Sequence, residues 1–441
     1  MVAVISANPS ERLMDNRIDD DVEVAEEQTS FFRRFFAKRR NVIFLSAASF
    51  LLLVLASTLT GIFVARHRAV VAFKENLTQF LDEKFVLTEP KERASHVEEL
   101  TDLFSNGYIS ADHVSELEAL MEFDEFNKFY SREHADADER RVRFLAFRNN
   151  YNAVKAQTGE ESYEKGINKF SDMTDEEFNL RFPALSVEEL KKSLEVSASE
   201  EFTSPEHLDK VRIAKGLGVE DSVDGEDLDW RKLNGVTPVK DQGNCGSCWA
   251  FAAVGSVESL YLIKKGQALD LSEQELVNCE ENSNGCEGGL PNKALEYIKA
   301  KGISHSKDLP YHAANEECVV SSSDKVFIHS FFANTGLDIL NKSLVVSPTI
   351  VAIAASKEFT AYKGGIFTGE CAPELNHAVL LVGEGHDEAT GKRFWIVKNS
   401  WGTDWGENGF FRFERTDEGS DKCDILEFGF TPALKCHSKK L

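Results

Sequence analysis

The chain has 441 residues, of which 42% are hydrophobic, so it can fill the cores of more than one folded unit. Its formal net charge of −24 argues against a nucleic-acid partner, because proteins that bind nucleic acids present a basic surface. None of the eight cysteines precedes Cys245, which predicts a separate C-terminal unit that folds in an oxidising compartment.

A charge-free stretch covers residues 41–65. As a helix it would be about 37 Å long, which exceeds the ~30 Å hydrocarbon core of a bilayer. It is too long for the apolar part of a cleaved signal peptide, and a core helix would need a solvent-facing side, so the sequence predicts an uncleaved signal anchor. Five basic residues precede it, namely Arg33, Arg34, Lys38, Arg39 and Arg40. Their excess predicts a single-pass type II membrane protein, with residues 1–40 as a solvated cytoplasmic tail and the rest lumenal or extracellular.

The segment of residues 66–223 contains no cysteine, is rich in charge and is mostly helical in pattern. It carries a glycosylation triplet at Asn76, and a second triplet lies further on at Asn341. Residues 195–228 lack apolar periodicity, which predicts an exposed linker with a processing site within residues 212–228.

Residues 224–441 change from a helical to a strand-like pattern. A helix is predicted from Cys248 to Lys265, because Gly266 directly after two lysines is a typical helix end. Four strands are predicted later in the chain, at residues 349–354, 378–382, 394–397 and 410–413. The unit is therefore expected to have an α+β fold, with a helical half, a β-rich half and a cleft between them.

The sequence QGNCGSCW at residues 242–249 is the most specific motif of the chain. His377 follows Cys248 by 129 residues and Asn399 follows it by 151. This set resembles the papain family of cysteine proteases, in which a His and an Asn lie about 130–150 residues after the motif. A redox pair or half of a zinc site would also explain Cys-x-x-Cys. However, zinc would need a second nearby pair, and a redox site would not need this His and Asn.

The resemblance implies a papain-like two-lobed fold, with a helical left lobe and a β-barrel-like right lobe, acting on protein or peptide substrates without metal or cofactor. Cys248 would be the nucleophile, made a thiolate by the helix N-terminus and by an imidazolium at His377, which later protonates the leaving amine. Asn399 would orient the imidazole under the shield of Trp401, which also borders the substrate cleft. Gln242 and the backbone N–H of Cys248 would form the oxyanion hole.

The same resemblance implies three disulfides, Cys245–Cys286, Cys279–Cys318 and Cys371–Cys423, and leaves Cys436 without a role. Substrate-binding residues carried over from the family are Gly288 and Gly289 for the peptide backbone and Leu290, Pro291, Ala352 and Leu375 for an apolar specificity pocket. Either Glu427 or Phe428 would lie at the pocket floor: a carboxylate would also admit arginine, whereas a phenylalanine would make the pocket shallow.

Two upstream motifs resemble those of inhibitory prosegments in this family. One is the helical stripe of Glu139, Arg143, Phe147, Asn150 and Val154, in which Thr158 replaces the final Asn of the family pattern. The other consists of Gly166, Asn168, Phe170 and Asp172. They imply an inhibitory domain at about residues 120–185 that fills the cleft until it is removed.

The layout of anchor, long prosegment and papain-like domain resembles the membrane-anchored cysteine proteases of apicomplexan parasites, and implies a lysosome- or vacuole-like acidic compartment. An endopeptidase is the leading expectation. An exopeptidase or ligase on the same scaffold is the first alternative, although no loop insertion that would block one cleft end is evident. A catalytically silent anchored binding protein is the second, although it would not need Cys248, His377, Asn399 and Gln242 together.

Overall fold

The computed structural model describes residues 19–84, 89–197, 227–319, 323–416 and 422–435, with backbone only for residues 19–50 and 193–197. The chain divides into two compact units, residues 1–117 and 118–441, which are described separately below. Cys436, residues 1–18 of the predicted tail and nearly all of the predicted linker lie outside the described residues.

The N-terminal unit is built on a 66-residue helix, α1 (Asp19–Lys84), followed by α2 (Pro90–Ser105). Phe73 of α1 stacks on Phe104 at 4.4 Å between ring centroids, and the Arg66 guanidinium donates to the backbone O of Ser105 at 2.6 Å. Residues 19–30 of the predicted solvated tail are helical. Three aspartates begin this helix, and acidic residues at that end are favoured by the helix dipole.

Part of α1 meets the requirements of a membrane span by length and composition. Its apolar side chains between Leu51 and Val64 are exposed, which a bilayer would require and an aqueous environment would penalise. A signal sequence near the N-terminus passes the same test. The helix thus has the length and composition of the predicted anchor.

The C-terminal unit begins within α3 (His113–Phe129), which is followed by α4 (Ala137–Lys155), α5 (Asp175–Arg181) and α6 (Val187–Ser197). Helices α3 and α4 share a buried aromatic core of Phe123, Phe126, Phe144 and Phe147. The N-cap Asp136 fixes the start of α4, because its side chain accepts from the backbone N–H of Glu139. This places the predicted prosegment stripe along α4.

The helical half contains α7 (Cys248–Lys265), α8 (Glu273–Cys279) and α9 (Pro291–Lys301), and α10 (Leu337–Val346) follows later. Helix α7 is buried on all sides from Cys248 to Leu260. It ends as predicted, because Gly266 adopts the left-handed conformation that closes a helix (φ 65°). A helix buried on every face forms the centre of its lobe, so its first residue is held rigidly.

The remaining elements form a largely antiparallel sheet. Its strands are β1 (Tyr163–Lys165), β2 (Leu228–Asp229), β3 (Ser330–Asn334), β4 (Thr349–Ile353), β5 (Tyr362–Phe367), β6 (His377–Asp387), β7 (Lys392–Lys398), β8 (Phe410–Arg415) and β9 (Gly429–Ala433). Their order is β1-β5-β8-β7-β6-β4-β9-β3, with β2 on β6 and a parallel β5–β8 pair. Helix α7 packs against β6 and β4. The predicted α+β fold with a helical half and a β-rich half is confirmed.

Strand β6 is longer than predicted, because it continues through Gly383 and Gly385 to Asp387. A side chain at Gly383 would lie 2.2 Å from the backbone O of Leu228, so glycine here admits the close approach of β2. The predicted strand ended one residue before this glycine, and the pairing with β2 explains why a glycine stands there.

Candidate active site

Cys248 and His377 are the first residues of α7 and β6, two elements that pack against each other. The Sγ of Cys248 lies 3.5 Å from the backbone N of Ala378, the residue next to His377. Cys248 is 4% exposed and His377 is fully buried. The fold therefore brings the predicted nucleophile and its proton partner to the junction of the two halves.

The imidazole of His377 is held from one side. Its Nε2 lies 2.8 Å from Oδ1 of Asn399, and the indole of Trp401 stacks on the ring at 4.8 Å between centroids. The other ring nitrogen, Nδ1, is buried and has no hydrogen-bond partner among the described residues. Because Asn399 and Trp401 fix the ring, Nδ1 remains available for proton exchange with a reacting group.

Gln242 is fully buried, and the chain around it constrains its side-chain amide. Its Oε1 accepts from Ser400 Oγ at 2.7 Å, and its Nε2 donates to the backbone O of Cys245 at 2.9 Å. One amide hydrogen is left after these bonds. This amide hydrogen and the backbone N–H of Cys248 at the start of α7 are a suitable pair of donors for a developing oxyanion.

The three disulfides implied by the resemblance, Cys245–Cys286, Cys279–Cys318 and Cys371–Cys423, are present, with Cα–Cα distances of 4.6, 4.9 and 5.1 Å. Cys248 remains a free and buried thiol. The first bridge ties the loop before α7 to the segment that leads into Gly288. It therefore helps to fix the entrance of the cleft beside the thiol.

The predicted substrate-binding residues are only partly gathered around one cavity. A cavity of about 390 Å³ is lined by Leu375 and Glu427, with Leu185, Val187, Pro373, Glu374 and Asp424. Glu427 is exposed and Phe428 is buried. Four residues predicted for the specificity pocket or its floor are buried and lie outside this lining: Leu290, Pro291, Ala352 and Phe428. Of the two floor candidates, the carboxylate is the one that faces the cavity.

The two glycines lie at positions that exclude side chains. A side chain at Gly289 would lie 2.5 Å from the ring of Trp249, and Gly288 has φ 114°, which favours glycine. A side chain at Gly288 would also approach Pro183 to 3.0 Å. The Gly288–Gly289 edge is therefore close enough for another backbone to lie along it.

Comparison with known proteins decides the family. Residues 225–433 match the sequence profile described as papain family cysteine protease, and residues 123–178 match the cathepsin propeptide inhibitor domain (I29). A cysteine proteinase of Theileria annulata is 46% identical over 394 residues, which cover 87% of this chain and 89% of the relative. The chain belongs to the papain family of cysteine proteases.

Further papain-family proteins agree over most of the chain. A cysteine proteinase of Theileria parva is 40% identical over 429 residues, covering 96% of this chain and 97% of its own. The structure of a recombinant stem bromelain precursor matches with a TM-score of 0.62 at 34% identity, covering 72% of this chain and 99% of its own. The predicted two-lobed papain-like fold and inhibitory prosegment are confirmed, and the chain is a cysteine peptidase precursor.

The prosegment of this papain-family chain covers the candidate active site. The ring of Phe182 lies 5.5 Å from that of His377 and 5.2 Å from that of Trp401, and Phe170 meets Trp401 edge-on at 5.1 Å. The backbone N–H of Leu185 donates to the O of Leu375 at 2.7 Å. Residues 181–185 therefore run along the cleft. The sequence motifs missed Phe182 and Leu185, because both lie outside the two prosegment patterns and act only through tertiary contact.

This cover changes the chemistry of the thiol and the imidazole. Burial raises the pKa of the Cys248 thiol to about 11, although nearby backbone N–H groups act in the opposite direction. Burial likewise lowers the pKa of His377 to about 4, against the bond to Asn399, and the charge of Arg181 lowers it further. Both shifts favour the neutral forms in the covered precursor, so the ion pair predicted from the sequence is disfavoured there.

Two prosegment carboxylates respond to acid in opposite directions. Burial would raise the pKa of Glu177, but hydrogen bonds from Arg143 and Thr174 outweigh it, so its pKa is lowered. Burial is dominant for Asp172, so its pKa is raised despite the nearby charges of Arg132 and Arg143. A carboxylate with a lowered pKa stabilises the fold at pH values above its ordinary pKa of about 4.3. That contribution is lost as the pH falls below this value and through the lowered pKa of the folded chain. Of these two carboxylates, Glu177 is therefore the acid-sensitive one, whereas protonation of Asp172 relieves a cost.

We expect Glu177→Gln to make activation of the precursor less dependent on acid. The variant cannot form the charged pair with Arg143 that holds α5 against α4 at neutral pH. Its activation rates at about pH 4 and about pH 7 should differ a few-fold less than those of the wild type. The control is Glu176→Gln, which changes an exposed neighbour on the same helix. An unchanged pH ratio for Glu177→Gln would reject this assignment.

Proposed function

We propose that the chain is a cysteine endopeptidase made as a type II membrane-anchored zymogen, with Cys248 as nucleophile and His377 as its acid–base partner. The observation that carries this proposal is the arrangement of the imidazole. Asn399 and Trp401 hold the ring, and its other nitrogen, Nδ1, has no hydrogen-bond partner among the described residues. The Sγ of Cys248 lies 3.5 Å from the backbone N of Ala378, the residue that follows His377.

The mechanism begins when the prosegment leaves. Water then reaches the thiol and the imidazole, the cost of charging them falls, and the proton moves from Cys248 to His377 with help from the N-terminus of α7. The thiolate attacks the peptide carbonyl carbon, and the oxyanion accepts from the backbone N–H of Cys248 and the amide of Gln242. The imidazolium protonates the leaving amine as the C–N bond breaks, which leaves a thioester.

The second half of the reaction uses the same groups. The neutral imidazole of His377 takes a proton from water, and the resulting hydroxide attacks the thioester carbonyl. The C–S bond breaks, the new carboxylic acid leaves and the thiolate is regenerated beside the imidazolium. Asn399 keeps the ring in one orientation through both halves, which spares the enzyme a reorganisation between steps.

The proposed specificity is for a hydrophobic side chain at the position before the cleaved residue. The cavity beside Leu375 supports this, because Leu185 of the prosegment already contributes to its lining and donates its N–H to Leu375. Glu427 is exposed at the same cavity, so an arginine that reaches this carboxylate would also be accepted.

Digestion of a peptide library by the activated full-length chain tests the proposal. We expect internal cuts, with leucine, valine or phenylalanine preferred at that position and arginine tolerated. Glu427→Gln should reduce arginine cleavage about tenfold and leave leucine cleavage unchanged, because only arginine gains from the carboxylate. Cuts restricted to chain ends would instead indicate an exopeptidase, and no cuts would reject the function.

The membrane part of the proposal is supported by the basic cluster before residues 41–65, the exposed apolar face of α1 and the disulfides of the C-terminal unit. It places that unit in a lysosome- or vacuole-like lumen or outside the cell. Asn76 is exposed on α1 and accessible to a glycan. Asn341 is 5% exposed on α10, with its side-chain oxygen enclosed, so the predicted glycan there does not fit the folded chain.

We therefore expect one N-linked glycan on the chain when it is made in cells. Asn76→Gln should abolish the mobility shift caused by glycosidase treatment, whereas Asn341→Gln, the control, should preserve it. The chain should also remain in membranes after alkaline carbonate extraction. The opposite orientation would give a membrane-bound chain without a glycan at Asn76. Protease added outside sealed vesicles would then digest its C-terminal unit, and this result would overturn the proposed orientation.

A further inference from the structure

The hydroxyl of Tyr311 joins two backbone segments that the mechanism treats separately. It lies 2.6 Å from Ser247 Oγ and 2.8 Å from the backbone O of Gln242. The Tyr311 ring packs edge-on against Phe251 of α7 at 4.9 Å between centroids, so packing fixes its direction. Ser247 and Gln242 are both fully buried. These bonds therefore join Gln242, whose side-chain amide is one proposed oxyanion donor, to the residue before Cys248, whose backbone N–H is the other.

The direction of this chain of hydrogen bonds follows from the chemistry of its members. A backbone carbonyl can only accept, so the Tyr311 O–H donates to Gln242, and the Ser247 hydroxyl must donate to Tyr311. Burial raises the pKa of Tyr311 to about 12, so the phenol keeps its proton at any pH at which the enzyme works. The hydroxyl of Ser247 is therefore committed to Tyr311.

This commitment affects the start of α7. Ser247 is the N-cap residue, and an N-cap serine commonly accepts from a backbone N–H in the first turn. Here its side chain makes no such bond. Because Tyr311 holds the serine hydroxyl, the side chain of Ser247 is linked to Gln242 through Tyr311 instead of capping α7.

Gln242 is fixed on its other sides by Ser400 and Cys245. Its backbone N–H donates to the O of Ser400 at 2.8 Å, in addition to the two side-chain bonds described above. Tyr311 supplies the remaining backbone bond, to the carbonyl oxygen. Among these contacts, the Tyr311 hydroxyl is the one that also reaches the residue before Cys248.

We propose that Tyr311 is a positioning residue of the oxyanion hole, whose hydroxyl ties the backbone of Gln242 to Ser247 and so sets the two oxyanion donors relative to each other. This inference rests on the proposed function, because it takes Gln242 and the backbone N–H of Cys248 as those donors. Donors aimed at a transition-state charge lose much of their effect when they are displaced, so a bond that aligns both affects the chemical step more than substrate binding.

The test is Tyr311→Phe in the full-length chain, which retains the ring and its contact with Phe251. After activation and titration of active sites, kcat should fall about tenfold with KM nearly unchanged. Affinity for a peptide aldehyde should fall by a similar factor, because its adduct with the thiol places an oxyanion in the same hole. The rate at which iodoacetamide alkylates Cys248 should stay within about twofold, because alkylation does not use the oxyanion hole.

The matched control is Tyr261→Phe. Tyr261 lies on α7, and its hydroxyl donates to the backbone O of Phe327 at 2.7 Å. All three measurements should match the wild type for that variant. The inference is overturned if Tyr311→Phe binds the aldehyde as tightly as the wild type, or if alkylation slows as much as hydrolysis.

If Tyr311→Phe does not fold, Ser247→Ala removes the other arm of the bridge and should give the same selective loss of aldehyde affinity. Full retention of that affinity would overturn the inference. Failure of the proposed function is a separate result: hydrolysis by the wild type would then survive Cys248→Ala, whatever Tyr311→Phe does.

Discussion

Replacing Cys248 with alanine is expected to lower kcat for peptide hydrolysis by about 10⁴-fold or more. The thiolate forms the only covalent bond to the substrate in the proposed mechanism, and neither His377 nor the oxyanion donors can replace it. Removal of one buried sulfur leaves a small cavity and costs about 1 kcal/mol of stability, so the variant should fold. The precursor should also accumulate uncut wherever the wild type processes itself.

The measurement is the hydrolysis rate of a peptide substrate by purified chain, with thermal unfolding recorded alongside. Ser256→Ala is the matched control, because it removes a buried hydroxyl from the same helix, where that hydroxyl bonds the backbone O of Ala253 at 2.7 Å. It should retain nearly full activity. A Cys248→Ala enzyme with more than about one hundredth of wild-type activity would place the nucleophile elsewhere.

The sequence predicted the features that local chemistry dictates. Helix α7 has the predicted bounds because Gly266 can adopt the left-handed conformation after two lysines. The positions of Cys248, His377 and Asn399 could be assigned because a fixed motif and two long spacings coincide. Such features need no knowledge of which distant residues meet.

Other features depend on packing between distant segments and could not be predicted. Phe182 has no local signature, and its role arises only because α5 delivers it to the His377 ring. The glycosylation triplet at Asn341 is correct as a pattern, but α10 turns that side chain inward. Tyr311 contacts Ser247 and Gln242 from more than 60 residues away, so no spacing rule would connect them.

The position of Phe182 explains how the prosegment inhibits in two ways at once. It lies against the imidazole in the cleft, and the burial of the imidazole and of the thiol favours their neutral forms. A neutral thiol is a poor nucleophile. Even a small reagent that passes the prosegment would therefore react slowly with Cys248. The rate of thiol alkylation is thus a measure of how well the prosegment covers the site.

Phe182→Ala is accordingly expected to weaken inhibition by about 10²- to 4 × 10³-fold. Phe182 is 3% exposed, and truncation of a buried phenylalanine costs about 3–5 kcal/mol, at about 1.4 kcal/mol for each factor of ten. The space left behind would admit water beside His377, so the pKa of the Cys248 thiol would fall and that of the imidazole would rise. Intact precursor should then react faster with iodoacetamide at neutral pH and convert itself sooner.

Leu180→Ala is the matched control, because Leu180 lies two residues earlier in the prosegment but is 77% exposed. It should leave both the alkylation rate and the conversion rate unchanged. The two rates also separate the two modes of inhibition. Faster conversion without faster alkylation would mean that Phe182 acts only as a steric plug. If both rates stay at wild-type values, the contact with His377 plays no part in keeping the precursor inactive. Other prosegment contacts, such as that of Phe170 with Trp401, must then provide the inhibition.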